Sequence, residues 1–300
     1  MKQESFKLRS TIALAGRRTC RAYCTMHLPH KYSAMLILLA GVLASSRPQD
    51  HRPVVIVVEA SDFALALPAQ VPAGVVTFRL VNHGKEAHHA QVVRLEGGKT
   101  AGDFVRAFTD TAAMPAWVRY LGGPVGTAPG QDRGSTTRLT PGRYAMICRV
   151  VSADGVTHVM KGMIREFEVV ERRDAVSDSF PTASDTVTLN DYGFAASRPL
   201  AAGHHTIRVE NAGPQPHELV MLELIPGKTP ADFAQWGLSG RHGPAPAAPV
   251  GGVEFLDQGA GGVFAVDLAP GEYGFICFVP DVKDGKRHFR HGMMSQFSVR

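Results

Sequence analysis

Cysteine is scarce in this 300-residue chain, with four in all. Cys20 and Cys24 lie near the N-terminus, so only Cys148 and Cys277 remain for the rest. No internal apolar run reaches the roughly 18 residues of a membrane span, which excludes a polytopic membrane protein. A Gly-rich phosphate loop, paired cysteines at zinc-site spacing and a Ser-His-Asp arrangement are all missing, so the common signatures of nucleotide, zinc and serine chemistry are absent. Aromatics make up 8% and charged residues 20%, with no long charge block, against 44% hydrophobic residues. That balance excludes wholesale disorder. At about 100–200 residues per domain, the length suggests two domains.

The net charge of +5 hides an asymmetry. Residues 1–46 carry Lys2, Lys7, Arg9, Arg17, Arg18, Arg21 and Lys31 against Glu4, which leaves the remainder near neutrality. The basic pI therefore gives no support for nucleic-acid binding by the rest of the chain. Basic residues, then the apolar run Ala34–Ala44, then the small residues Ala44, Ser45 and Ser46 follow the layout of an export signal. A leader over 1–46 is expected, with Met26 as an alternative start, and with it a periplasmic or extracellular protein. No cysteine follows the apolar run, which argues against a lipid anchor.

What the chain does contain is one pattern written twice. At an offset of 129, Asn82 matches Asn211, Gly84 Gly213, His88 His217, Gly122-Gly123 Gly251-Gly252, Tyr144 Tyr273 and Cys148 Cys277. After one inserted residue the offset is 130, matching Asp154-Gly155 with Asp284-Gly285, His158 with His288 and Met163 with Met293. A period this long means whole domains rather than solenoid units. The expected division is 47–172, a polar linker at 173–182, and 183–300. Short strands rich in Val, Ile and Phe between Gly, Pro and Asn turns predict a β-sandwich in each copy, with no core shared between them. A helix is expected after Thr100 and after Thr229, where Thr229-Pro230-Ala231-Asp232 supplies an N-cap, a first-turn proline and an acid. Lys99, Thr100 and Asp103 read as part of the same capping.

Each copy holds His, Cys, His and Met in the same order. Tyr144, Met146 and Cys148 share one strand face, as do Tyr273, Phe275 and Cys277. Equivalent cysteines in separate domains rarely come within bridging distance, so both are expected to be free. A thiol retained in an oxidising compartment calls for a reason, and metal ligation is a common one. His89, replaced by Glu218 in the second copy, is not expected to be a shared ligand. His204 and His205 read as ordinary surface or packing residues.

The motifs N-x-G-x-x-x-H, Y-x-F-x-C and H-x-x-x-G-M resemble those of the cupredoxins, the small blue (type 1) copper proteins, and of bacterial exported proteins with cupredoxin-like domains. The likeness covers most of residues 53–300. It implies an all-β chain of two Greek-key β-sandwiches in tandem, each with a short helical insertion. It also implies copper, one ion per domain, held by His88, Cys148, His158 and Met163 and again by His217, Cys277, His288 and Met293. Two imidazoles, a thiolate and a weak axial thioether suit an ion that cycles between Cu(I) and Cu(II). One departure from the family is the spacing of ten or eleven positions from Cys to the second His, where a shorter one is usual. Asp154-Gly155 and Asp284-Gly285 are hairpin dipeptides that would fold the excess out and return the His. His291 and Met294 are spare donors that break the spacing.

Three functions compete. The first is an exported electron or copper carrier with a protein partner, and the second is a metal-free binding module on the same scaffold. The third is a copper oxidase or nitrite reductase. That last reading wants His beside Cys, whereas the neighbours here are Ile147 and Arg149, and Ile276 and Phe278.

Overall fold

The computed structural model describes residues 53–110, 115–172 and 179–300. The expected leader and most of the expected linker lie outside the described residues. The first repeat supplies β1 (Val54–Ser61), β2 (Ala64–Ala66), β3 (Gln70–Pro72), β4 (Gly74–Asn82), β5 (Gln91–Leu95), β6 (Val118–Tyr120), β7 (Asp132–Leu139), β8 (Gly142–Ile147) and β9 (Ile164–Val170). The second supplies β10 (Asp185–Asn190), β11 (Gly193–Ala196), β12 (Gly203–Asn211), β13 (His217–Leu224), β14 (Ala247–Leu256), β15 (Gly261–Leu268), β16 (Gly271–Ile276) and β17 (Met294–Val299). The structure is mostly strand, with α1 (Ala101–Asp110) and α2 (Pro230–Leu238) where helices were expected. Both helices open on a threonine that accepts from the backbone N–H of the acid three residues on, Thr100 from Asp103 at 3.1 Å and Thr229 from Asp232 at 3.2 Å. Each acid returns a bond to the threonine's own N–H, which completes a capping box.

The strands form three sheets. One, of eight strands, runs β11-β10-β12-β15-β7-β4-β1-β2, half from each repeat. The first repeat adds the five-stranded sheet β3-β9-β8-β5-β6, and the second the four-stranded sheet β14-β13-β16-β17. Between the two sheets of the first repeat, Val58, Phe78 and Leu80 meet Tyr144, Met146, Cys148 and Phe167. The corresponding core of the second repeat holds Leu189, Ile207, Phe264, Tyr273, Phe275 and Cys277. The cysteine-bearing face of β8 and of β16 is thus the inward face, as the alternation predicts.

The repeats meet through like strands. β7 pairs with β15, its own counterpart, at Thr136 and Val263. Beyond β6, Leu121 bridges to Leu256, Gly122 N–H donates to Phe255 O at 2.8 Å, and Glu254 N–H donates to Gly123 O at 3.0 Å. The Gly-Gly pairs that recur in the sequence sit at these seams. A Cβ on Gly123 (φ +123°) would fall 2.0 Å from Ala90 O, and one on Gly252 (φ +138°) 2.0 Å from Leu219 O. Gln91 ties the seam by donating to Gly122 O at 3.0 Å and Phe255 O at 3.1 Å.

The expectation of two cores with nothing shared is not met. β8 is buried on both faces, and its outward residues Ala145 and Ile147 join Val93, Leu95, Phe104 and Tyr120 in the apolar cluster of the second repeat. Tyr120 and Phe255 pack ring to ring at 5.7 Å. The described residues from 53 to 300 accordingly form one compact unit. Burial on both faces makes the outward residues of β8 apolar too, and a sequence does not say which surface covers them.

Candidate metal centres

The first histidine of each set follows a turn locked by asparagine. Asn82 Nδ2 donates to Glu86 O at 2.8 Å and Thr127 O at 2.9 Å, while Gly84 N–H donates back to Asn82 Oδ1 at 2.8 Å. Asn211 does the same with Gln215 O and Leu256 O, both at 2.8 Å, and with Gly213 N–H at 3.0 Å. Each turn delivers its histidine, His88 or His217, fully buried beside the cysteine strand.

The excess residues between Cys and the second His leave as a small hairpin. Val151 bridges to Thr157 and Pro280 to Arg287, with Gly155 (φ +80°) and Gly285 (φ +71°) at the tips. These left-handed positions favour glycine. The returning chain winds into one short 3-10 turn, His158–Lys161 or His288–His291, whose first residue is the buried histidine. Gly162 and Gly292 close the turns, and Met163 and Met293 follow, fully buried. Cys148 N–H donates to Met163 O at 3.1 Å and Cys277 N–H to Met293 O at 3.3 Å, which fixes each thioether residue alongside its cysteine.

The three donors converge in both repeats. His88 Nδ1 and His158 Nδ1 stand 3.0 Å apart, and Cys148 Sγ lies 3.5 Å from His158 Nδ1. In the second set the figures are 3.0 Å for His217 and His288 and 3.4 Å from Cys277 Sγ to His288 Nδ1. His291 stands apart, 3.2 Å from Asp284 and stacked on Tyr192. Both cysteines are free and buried. His205 is buried elsewhere, on Asp185 at 2.7 Å, and His204 is exposed beside Asp267.

The outer ring nitrogens face carboxylates. His217 Nε2 lies 2.6 Å from Asp191 and His158 Nε2 3.1 Å from Glu86. His88 Nε2 lies 3.4 Å from Asp62 and His288 Nε2 3.8 Å from Asp281. This arrangement tests whether a cation fits. A neutral imidazole that gives its Nε2–H to a carboxylate turns a bare Nδ1 lone pair inward. Two such lone pairs 3.0 Å apart repel. Moving one proton inward to bridge them leaves the other nitrogen of that ring without its donor, and His88 Nε2 and His288 Nε2 are indeed buried without a hydrogen bond. A cation between the Nδ1 atoms lets all four histidines keep Nε2–H toward a carboxylate, so the donor set fits a metal.

Protonation follows from burial. Desolvation pushes His88, His158 and His217 below the usual imidazole range and His288 down to about 4, so all four are neutral at pH 7. Burial also pushes the Cys148 thiol up to about 12 and the Cys277 thiol well up, so a metal charge is required to displace either proton.

Two layers of the site escape a reading confined to ligand types. The carboxylates Asp62 and Asp191 are themselves 129 residues apart, as are Phe63 and Tyr192, whose rings meet His158 and His288 edge-on at 5.2 and 5.3 Å. The offset that pairs the ligands would have found them. His89 and Glu218 also play one part: the backbone N–H of each points at the cysteine sulfur, at 3.4 and 3.5 Å. Each side chain accepts from the residue after that cysteine, Arg149 N–H at 2.9 Å and Phe278 N–H at 2.6 Å.

No family model and no curated protein matches the chain. It is similar to the solved structure of auracyanin A, a "blue" copper protein from the green thermophilic photosynthetic bacterium Chloroflexus aurantiacus, at 20% identity over 40% of this chain and 100% of that one (TM-score 0.29). It is similar to copper nitrite reductase from Nitrosomonas europaea at 15% identity over 83% of this chain and 94% of that one (TM-score 0.25). A multicopper oxidase is similar at 15% identity over 83% and 89% (TM-score 0.23).

Proposed function

We propose that this chain is an exported copper protein with two type 1-like sites, one in each of the repeats 47–172 and 183–300, that passes single electrons or carries copper to a protein partner. The observation that carries this reading is the twofold convergence of Nδ1, Nδ1 and Sγ in a buried pocket whose outer nitrogens meet carboxylates. His88, Cys148, His158 and Met163 would hold one ion, and His217, Cys277, His288 and Met293 the other. Copper, when bound, supplies one-electron chemistry between Cu(I) and Cu(II).

The chain's own residues do the rest. Neutral imidazoles present Nδ1 without a proton to remove, and the carboxylates behind them fix ring orientation and raise donor strength. The backbone N–H of His89 and of Glu218 stabilises negative charge on the sulfur, and full burial of all eight ligands keeps water out. Preorganised ligands of this kind rearrange little when the charge on an ion changes. The residues flanking each cysteine include no histidine, and Arg149 and Phe278 offer no ligand to a further copper, which favours a carrier over an oxidase.

Copper reconstitution of the whole chain tests the reading. Two equivalents per chain and an intense visible sulfur-to-copper band are expected, with Cys148→Ser and Cys277→Ser each removing one copper and its share of the band. A colourless protein with both thiols titratable in excess Cu(II) would instead favour a metal-free module.

A further inference from the structure

A cleft of about 750 Å³ opens between the two repeats, on the side of His89 and Glu218 away from the cysteines. That volume suits a small organic ligand. Its walls are largely apolar: Phe108, Val150 and Val151 from the first repeat, and Phe233, Trp236 and Phe278 from the second. Three arginines also line it, Arg149, Arg241 and Arg287.

These charges are not balanced. Among the described residues neither Arg241 nor Arg287 has a carboxylate within ion-pair distance, and Arg149 reaches only Glu254, at 3.8 Å. The acidic residues in the lining are Glu218 and Glu254. Even with both ionised, two carboxylates leave the three guanidiniums in surplus. Arg149 Nε is buried with no hydrogen-bond partner, and His89 Nδ1, also without one, has Glu254 Oε2 at 3.5 Å; both residues line the cleft. Unpaired buried donors are costly and call for an acceptor.

The arginines are also held beside rings. The Arg149 guanidinium sits 3.4 Å from the Phe255 ring centroid and that of Arg241 5.9 Å from Trp236. Arg287 is anchored by donating to Phe278 O at 2.9 Å. Arg241 adopts φ +60°, a left-handed conformation unusual for a residue with a side chain, near the start of the loop after α2.

We propose that this cleft binds an aromatic carboxylate, its ring among Phe108, Phe233 and Trp236 and its anionic group accepting from Arg149, Arg241 and Arg287. Positive charge, unmet donors and aromatic walls each select one part of such a molecule, and guanidinium is well suited to a carboxylate. The proposal stands independently of copper. It places a ligand one residue from both candidate metal centres, in contact with the side chains of His89 and Glu218.

Titration of the metal-free whole chain with 2-naphthoate, followed by calorimetry and tryptophan fluorescence, tests it. One saturable site is expected, with 2-naphthylmethanol, the uncharged counterpart, at least tenfold weaker. Arg241→Gln and Arg287→Gln should each weaken 2-naphthoate at least tenfold, while in Arg241→Gln, which lies outside both candidate centres, thermal stability and copper loading stay near those of the unaltered chain. Equal binding of the alcohol, unchanged affinity in both variants, or no saturable binding at millimolar 2-naphthoate would overturn the proposal. Failure to load copper would leave these arms unaffected.

Discussion

Gly213 is where one methyl group should separate a held histidine from a loose one. Its backbone is not left-handed, so an alanine is not excluded by φ. The obstacle is contact: an added Cβ would lie 2.6 Å from His217 Nε2, 2.8 Å from Cδ2 of the same ring and 3.2 Å from Asp191 Oδ1. Ordinary contact begins at 3.4 Å, so the ring must retreat about 0.8 Å. It is fully buried, and its far nitrogen already stands 3.0 Å from His288 Nδ1, so it cannot retreat without pressing on the second histidine. The 2.6 Å bond to Asp191 is then lost. Overpacking of this kind costs about 1–3 kcal/mol in stability, and loss of a carboxylate behind a metal-binding histidine costs roughly 10–100-fold in affinity. Gly213→Ala should therefore weaken one of two coppers by roughly that factor, read by chelator competition, and leave the other unchanged as an internal control. Gly84→Ala, whose Cβ would fall 2.6 Å from His88 Nε2, should weaken the other copper instead. Gly193→Ala, where an added Cβ meets nothing within 4 Å, should do neither. Two coppers of unchanged affinity in Gly213→Ala, or equal weakening of both, would refute the reasoning.

Three further outcomes are expected. Gln91→Leu removes the donor that Gly122 O and Phe255 O share across the seam, and should lower the stability of the whole chain by about 1–3 kcal/mol in urea unfolding. For Asp185, burial pushes the carboxyl up, but Arg198, His205 and Ser184 outweigh it and hold the group down at about 2 against 3.8. A folded value below the unfolded one means stability present above pH 4 and lost as pH falls through 2. Asp185→Asn should cost about 2 kcal/mol at pH 7, and the gap should close in acid unfolding near pH 2. Residues 180–300 alone would expose Phe255, Leu256 and Val253, so this fragment should bind a hydrophobic dye and lose that binding when residues 47–172 are added. A fragment with no dye binding and full cooperativity would show that the shared cluster contributes little.

Much of this was legible in the residues because the repeat acts as its own control. Donor types recurring at one offset singled out His88, Cys148, His158 and Met163, and their partners, from thirteen histidines and ten methionines. The Asp-Gly dipeptides marked the hairpins because a tight turn needs a left-handed glycine, and Thr229 with Asp232 marked a helix start because the capping box is local. The shared cluster was not legible, since Ile147 and Val93 are apolar whether they face a sandwich interior or a second repeat. Arg241 was equally silent. A loop arginine becomes notable only when the fold turns it toward Arg149 and Arg287, far away in sequence. His89 and Glu218 were set aside as unlike residues, yet each has the same backbone contact to sulfur, which no side-chain comparison reveals.

The pairing of each seam strand with its own counterpart gives a covalent chain the contacts of a twofold dimer. In a true dimer of identical subunits, whatever faces the axis must face its own copy. Two copies of the first repeat would line the cleft with two copies of His89, and two of the second with two copies of Glu218. Joining the halves in one chain frees those positions to differ. His89 and Glu218 can then serve two sulfurs with the same backbone gesture while bringing a base and an acid to one cleft, an asymmetry that identical subunits could not encode.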